Sequence, residues 1–318
     1  MRVFVTGASG WIGSAVVPEL LGAGHQVVGL ARSDASAEAL AAAGAEVRRG
    51  SLDDLETLRD EAAASDGVIH LAFRHDLAFT GNFQGAADAD RRAVEVFGDA
   101  LAGSGRPFVI ASGTLFAGQE RIVTERDGHD ADTAASLPEG PRTRHQTAEF
   151  TLALAERGVR SAVLRLPPSV HGDGDHGFMA TLFSIARAKG VSGYIGDGAN
   201  RWPAVHRYDA ARLFHRVLEA APAGSTLHGV ADEGVPIREI AEVIGQQLNV
   251  PVASVPQDEA ADHFAWLGGF LSIDGPASSA LTRDLLDWQP RQPGLIEDLE
   301  QGHYVQSPDA QPQHTAAA

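Results

Sequence analysis

The tightest constraint on this chain is a glycine pattern at its start. Thr6-Gly7-Ala8-Ser9-Gly10-Trp11-Ile12-Gly13 separates an apolar run, Arg2–Thr6, from a stretch of helical character, Trp11–Ala23. A strand that turns sharply into a helix through spaced glycines serves three needs. One glycine permits the tight turn, one lets the backbone approach a pyrophosphate, and one lets the helix pack closely on the strand. The free N–H groups at the helix start then face the phosphates. Glycines 7, 10 and 13, with Ser9, Trp11 and Ile12 between them, are therefore the expected dinucleotide cradle.

The pattern continues as that cradle demands. Strands are expected at Gln26–Ala31, 45–49, Gly67–Phe73, Pro107–Ala111 and Ser161–Leu166. Helices are expected at Ala35–Ala43, Leu55–Ala64, Ala86–Leu101 and Ala148–Arg157. Strands alternating with helices imply an α/β fold, a Rossmann-type doubly wound parallel sheet. Residues 1–170 form the expected dinucleotide-binding domain. Residues 171–306 form mainly a smaller substrate lobe, with some segments returning to the sheet. In that lobe, helices are expected at Phe178–Ala188, Ala210–Ala220 and Ile237–Leu248. Ile237, Ile240, Val243, Ile244 and Leu248 make one apolar stripe. The tail, 307–318, reads as disordered.

Composition narrows the partners. The 318 residues carry a formal charge of −17, which repels nucleic acid and anionic membranes. No apolar run is long enough for a membrane span. The N-terminus enters a strand at once, so a cytoplasmic protein is expected. The absence of cysteine excludes disulfides and thiolate chemistry. A small-molecule substrate is the expected partner, and a homodimer is left open.

At the end of the second strand, an acidic residue would bond the free ribose 2′-hydroxyl of NAD(H), whereas an Arg suits the 2′-phosphate of NADP(H). Arg32 stands there with Ser33 beside it, and Asp34 follows. NADP(H) is favoured over NAD(H).

These residues resemble the extended and atypical short-chain dehydrogenase/reductases of the NAD-dependent epimerase/dehydratase type. The TGxxGxxG spacing is that family's glycine loop. Ser51-Leu52-Asp53 is similar to its adenine-contacting segment. His70-Leu71-Ala72, with Phe73 next to it, resembles its cofactor-side tripeptide. Arg165-Leu166-Pro167-Pro168 resembles the segment bordering the nicotinamide. Gly196-Asp197-Gly198, followed by Val205-His206-Arg207-Tyr208-Asp209, resembles a stretch of its second lobe. The resemblance implies cofactor contacts at Ser51, Leu52, Leu71, Ala72, Phe73 and Pro167, with Phe73 also facing substrate.

The departures bear on function. The family sets a Tyr and a Lys four residues apart on one helix, with a Glu four residues further on. Glu149 matches the Glu, but His145 takes the Lys place and Pro141 the Tyr place, with Arg142 adjacent. The three tyrosines, Tyr194, Tyr208 and Tyr304, all lie elsewhere. The family's catalytic hydroxyl falls near Gly113, flanked by Ser112 and Thr114, and Thr114 is the expected choice. His145 is the first candidate for moving a proton. Trp202 stands where sugar-nucleotide enzymes of the family hold an Arg, so a smaller or more apolar substrate is expected, packed on Trp202. Tyr194 could reach in from the second lobe. His171 and His176 flank the loop 172–175, read as a substrate loop, and no metal site is expected. The expected activity is reduction of a carbonyl. An epimerase or dehydratase that retains its cofactor, and a non-catalytic NADP(H) sensor, remain the alternatives.

Overall fold

The computed structural model describes residues 1–78, 80–115, 121–129 and 131–306. The tail expected to be disordered lies outside the described residues.

Seven strands build the main sheet: β1 (Arg2–Thr6), β2 (Gln26–Ala31), β3 (Glu46–Arg49), β4 (Gly67–His70), β5 (Pro107–Gly113), β6 (Arg160–Leu166) and, returning from the second half of the chain, β10 (Ser225–His228). All neighbours pair in parallel, in the order β10-β6-β5-β4-β1-β2-β3. A parallel sheet covered on both faces needs near-continuous apolar strands. Val3, Phe4 and Val5 are each fully buried, as this requires.

Connecting helices cover the two faces. They are α1 (Gly13–Gly22), α2 (Asp34–Ala42), α3 (Leu55–Ala64), α4 (His75–Ala78), α5 (Phe83–Leu101), α6 (Ala131–Ser136), α7 (Glu139–Ala153) and α9 (Arg207–Ala220), whereas α8 (Phe178–Lys189) packs in the second lobe. One face packs Val3, Val5, Val109 and Leu164 against Val16 and Leu20 of α1 and Leu213, Phe214 and Val217 of α9. The opposite face packs Phe4, Phe108 and Ile110 against Leu58 of α3, Val94 and Phe97 of α5 and Ala148 of α7.

Helix α7 begins at Glu139, well before the Ala148 read from the sequence. Pro138 caps it and Pro141 sits in its first turn, where a missing N–H costs no helical bond. This extension puts residues 141–145 on the helix.

The second lobe is built on β7 (Ser169–His171), β9 (Arg201–His206) and β11 (Asp232–Pro236) in one small sheet, and β8 (Ser192–Ile195) with β12 (Val252–Val255) in another. Its core gathers Met179, Leu182 and Phe183 of α8, Trp202, and Ile237, Ile240 and Ile244 of α10 (Ile237–Leu248). The apolar stripe of α10 thus faces inward. Short helices complete the lobe: α11 (Ala260–Phe264), α12 (Gly268–Leu271), α14 (Leu295–Glu300) and α15 (His303–Gln306), while α13 (Ala280–Leu286) packs beside α9 and β10 of the main sheet.

Gly13 fixes how α1 meets β1. A Cβ there would stand 2.1 Å from the Gly7 carbonyl oxygen and 2.7 Å from the Ala8 Cα. Backbone, not a flexible side chain, blocks it. Gly13→Ala is expected to lower unfolding stability by about 3 kcal/mol, the upper end for overpacking, measured as a shift of the urea midpoint.

Candidate active site

Every loop at the carboxyl ends of β1 to β6 opens onto one edge of the sheet, where open α/β sheets bind ligands. Gly7 adopts φ +66°, and a Cβ on it would come within 2.7 Å of the Ala72 nitrogen. The loop after β1 and the loop after β4 therefore touch backbone to backbone. Gly10 donates its N–H to the Gly7 carbonyl at 3.0 Å, closing the turn. The Trp11 and Ile12 N–H groups find no acceptor among the described residues and sit at the entry of α1. Such donors at a helix start suit a pyrophosphate, so the residues present fit a dinucleotide.

Around this cradle the structure gathers the other expected cofactor residues. Arg32 and Ser33 follow β2, Ser51 and Leu52 follow β3, Leu71, Ala72 and Phe73 follow β4, and Pro167 follows β6. The Arg32 side chain is 65% exposed, with Asp76 3.7 Å from its guanidinium. Ser33 caps α2 by accepting the Ser36 N–H. Asp34 is drawn to Arg49 instead of the cleft. Ser51 is held locally, its N–H and hydroxyl both given to Asp54. Leu52 is buried in the core beneath. Trp11 crosses to the second lobe: its Nε1–H donates to the Val170 carbonyl at 2.8 Å, and Arg207 lies 4.2 Å above its ring.

A buried polar chain runs under the cradle. His70 Nδ1 and Thr6 Oγ1 are 2.6 Å apart, and Thr6 Oγ1 accepts the Ala72 N–H at 3.3 Å. His70 Nε2 lies 3.2 Å from Asp90 Oδ1. The same Asp90 oxygen is 2.9 Å from Arg144 Nη1. Arg144 also donates to the Ala111 carbonyl at 3.2 Å and lies 4.4 Å over the Phe73 ring. Burial pushes the Asp90 carboxyl up, but Arg144 and His70 outweigh it and hold it below the usual carboxylate range. A fixed positive charge thus stands between β5 and α7, at the sheet edge that faces the cofactor.

Arg144 and Asp90 are candidate site residues that the sequence alone does not single out. Asp90 carries a signal: it is a carboxylate on the buried face of α5, flanked by Ala86, Ala87, Ala89 and Ala93. Buried carboxylates are almost always paired. Arg144 carries none, since it is one of several polar residues in a row, beside His145.

His75 stands beside Phe73, ring centroids 5.3 Å apart. Part of its ring reaches solvent. Surrounding protein, then the charges of Arg144 and His176, push it down to about 4, with Asp76 opposing. It is a neutral imidazole at pH 7.

The expected catalytic groups separate. Ser112 is half-buried at the end of β5. Strand alternation sets it on the face of Phe108 and Ile110, which α5 and α7 cover. Thr114, the first expectation, is 1% exposed, and its hydroxyl has no hydrogen-bond partner among the described residues. Its own N–H goes to the Leu166 carbonyl, which turns the chain inward. His145 gives Nε2 to the Gly128 carbonyl at 2.6 Å, and its Nδ1 is buried without a partner.

Three expected substrate residues do not line this cleft. Trp202 is fully buried in the second lobe's core, its Nε1–H on the Ile273 carbonyl and its ring against Phe178. Its place on β9 is taken up by packing between layers. His171 is also fully buried, 2.9 Å from Asp298. Tyr194 lies on β8 beside Arg238, in the small two-stranded sheet. Phe73 alone of that group stays at the cleft, with Phe83 5.6 Å away.

The cradle, the parallel sheet and the lobe over its carboxyl edge define a dinucleotide-binding protein of the Rossmann type. Residues 3–228 match the NAD-dependent epimerase/dehydratase family, and the chain belongs to it. An uncharacterized protein of Schizosaccharomyces pombe is 47% identical over 96% of this chain and 100% of its own. Two more distant relatives are named as reductases. A farnesyl-dihydroquinoline-oxide ketoreductase of Stigmatella aurantiaca is 28% identical over 84% of this chain and 80% of its own. The 2-alkyl-3-oxoalkanoate reductase of Stenotrophomonas maltophilia is 27% identical over 79% and 77%. Among solved structures, the dTDP-glucose 4,6-dehydratase of Streptomyces venezuelae, determined with NAD bound, is similar in fold. Its TM-score is 0.76 at 20% identity, over 96% of this chain and 97% of that one.

Asp90→Ala leaves Arg144 charged and unpaired in a buried setting. Loss of one partner of a buried pair costs about 3–5 kcal/mol, and a thermal or urea melt is expected to show a loss in that range.

Proposed function

We propose that this protein is an NADP(H)-dependent reductase acting on the carbonyl of a small, apolar substrate. The observation that carries this reading is the Arg144 guanidinium, anchored by Asp90 and by the carbonyl of Ala111, the residue that precedes Ser112 at the end of β5. A bound nicotinamide cofactor would supply hydride at this edge. Ser112 then holds the carbonyl oxygen as a hydrogen-bond donor. Arg144 stabilises the negative charge that grows on that oxygen, and a preorganised charge in a partly dry site is effective in that role. Water supplies the proton, because α7 carries no tyrosine and a guanidinium does not release one.

Phe73 and Phe83 give the cleft an apolar wall. That favours a ketone with an alkyl or aryl body over a sugar nucleotide. Both named reductase relatives act on ketones, which supports the same reaction class. Arg32, loosely paired and mostly exposed, is free to meet a 2′-phosphate. Its loss removes a charge-assisted hydrogen bond of about 1.5–3 kcal/mol. Arg32→Ala is therefore expected to weaken NADPH binding about 10- to 100-fold in a fluorescence titration, with NADH binding unchanged. Equal losses for both cofactors would remove the 2′-phosphate assignment.

Ser112 and Thr114 are told apart by activity. Purified protein is offered NADPH with a panel of 3-oxo esters and aryl ketones, and NADPH oxidation is followed at 340 nm, the absorbance of the reduced nicotinamide. Ser112→Ala is expected to lower kcat/KM about 100-fold, the order found for loss of one oxyanion donor. Thr114→Val, which removes an unpartnered buried hydroxyl, leaves the rate unchanged. No NADPH consumption with any ketone would overturn the reductase reading.

A further inference from the structure

We propose that His25, His215 and Glu219 form a binding site for a divalent transition-metal ion of the zinc class, at the end of the sheet opposite the cofactor cradle. The three come from distant parts of the sequence. His25 lies in the turn that precedes β2. His215 and Glu219 stand one turn apart on α9, a spacing that puts both on one face.

The geometry is that of a ligand set. His25 Nε2 lies 3.3 Å from Glu219 Oε1, and His215 Nε2 lies 3.3 Å from Glu219 Oε2. One ligand atom from each residue falls within 4.8 Å of the others. A tetrahedral ion with nitrogen and oxygen ligands at about 2.0–2.1 Å holds its ligands about 3.4 Å apart. Each imidazole nitrogen already stands near that spacing from a Glu219 oxygen, and closing the set on one ion requires the three groups to draw in from within 4.8 Å.

The nitrogens are also otherwise unused. The His25 ring is over nine-tenths buried, and beyond the Glu219 carboxylate 3.3 Å away neither its Nε2 nor that of His215 has a hydrogen-bond partner among the described residues. Buried polar atoms without partners are costly. On the far side of His215, Nδ1 is 3.3 Å from Glu19 Oε1. As donor in that bond, Nδ1–H leaves the Nε2 lone pair facing a carboxylate oxygen. A cation between them removes the repulsion, and Glu19 then acts as the carboxylate that orients a metal-bound imidazole. His25 Nδ1 is 3.3 Å from the N-terminal amine. Metal binding places a proton on that Nδ1, so the amine turns away or becomes the acceptor, and Met1 is exposed enough to move.

Two imidazoles with one carboxylate favour zinc, cobalt, nickel or copper over magnesium and calcium, which prefer all-oxygen shells. The ion would tie the start of β2 to α9. It cannot reach the nicotinamide: His25 precedes the six-residue strand β2 and Arg32 follows it, about 20 Å away at 3.3 Å per residue. Its role is to hold α9 on the sheet.

The test uses the full chain after dialysis against EDTA. Co²⁺ titration is expected to give the visible absorption of a four- or five-coordinate site, saturating at one equivalent. Zn²⁺ is expected to displace it and to raise the melting temperature. Glu219→Gln, at a half-exposed position, should fold normally by circular dichroism and bind Co²⁺ at least tenfold more weakly. His215→Ala should abolish the absorption. A lack of one-equivalent binding overturns the proposal. Wild-type affinity in Glu219→Gln overturns it as well, because the metal would then sit on others of the 13 histidines.

Discussion

A single backbone contact sets the position of nearly everything at the functional edge. Helix α1 approaches β1 so closely that the Gly13 Cα faces the Gly7 carbonyl with no room for a Cβ. The closeness aims the start of α1 at the carboxyl edge of the sheet and presents the Trp11 and Ile12 N–H groups there. Gly7 in turn presses on the Ala72 backbone, so the same contact places the loop after β4. That loop carries Phe73 and His75. The cradle and the cleft wall are thus consequences of one packing distance, and the chain must hold glycine at both positions to keep it.

What stands next to the cradle is a different kind of constraint. Arg144 and Asp90 form an ion pair in a region where charges are expensive. One Asp90 oxygen is shared by His70 and Arg144, Thr6 meets His70, and Ala111 and Phe73 receive the guanidinium. A connected polar network of this kind favours one arrangement. In the proposed reduction it would also bring a guanidinium to the place where a carbonyl oxygen gains electrons. The usual tyrosine–lysine chemistry supplies both a charge and a proton. On this reading the charge comes from a group that keeps its proton, and the proton source is separate.

The sheet was legible from the sequence because its signals are local. Apolar runs such as Val3-Phe4-Val5, the glycine loop, and the stripe on α10 each report the environment of their own residues. The start of α7 was not, since Pro138 and Pro141 fit a helix only at its cap and in its first turn, and no local signal says that the helix begins there. The site was legible where it is backbone: Gly7, Gly10 and Gly13 act through the absence of side chains. It was illegible where it depends on direction. His145 and Arg144 are neighbours in sequence but point to different partners, Gly128 and Asp90. Ser112 and Thr114 differ by two residues, yet the strand ends between them, and only Ser112 keeps the strand's alternation. Trp202 was misplaced for a related reason. Alternation on β9 gives a side chain one of two faces, and only the layers of the second lobe decide which face is core.

The two lobes are joined across the cradle itself. Trp11 leaves the glycine loop, donates to Val170 and lies beneath Arg207, while His176 meets its ring edge 5.6 Å away. Val170 belongs to β7, paired with β9 in the small sheet, and Arg207 to the first turn of α9, which packs on the main sheet. A clasp between rigid elements at this point closes the cleft on the second-lobe side, above the pyrophosphate. The open side is then the one bordered by Phe73, Phe83 and His75, beyond Arg144. For the ketone proposed above, that side would offer aromatic rings before the guanidinium, because Arg144 packs 4.4 Å over the Phe73 ring.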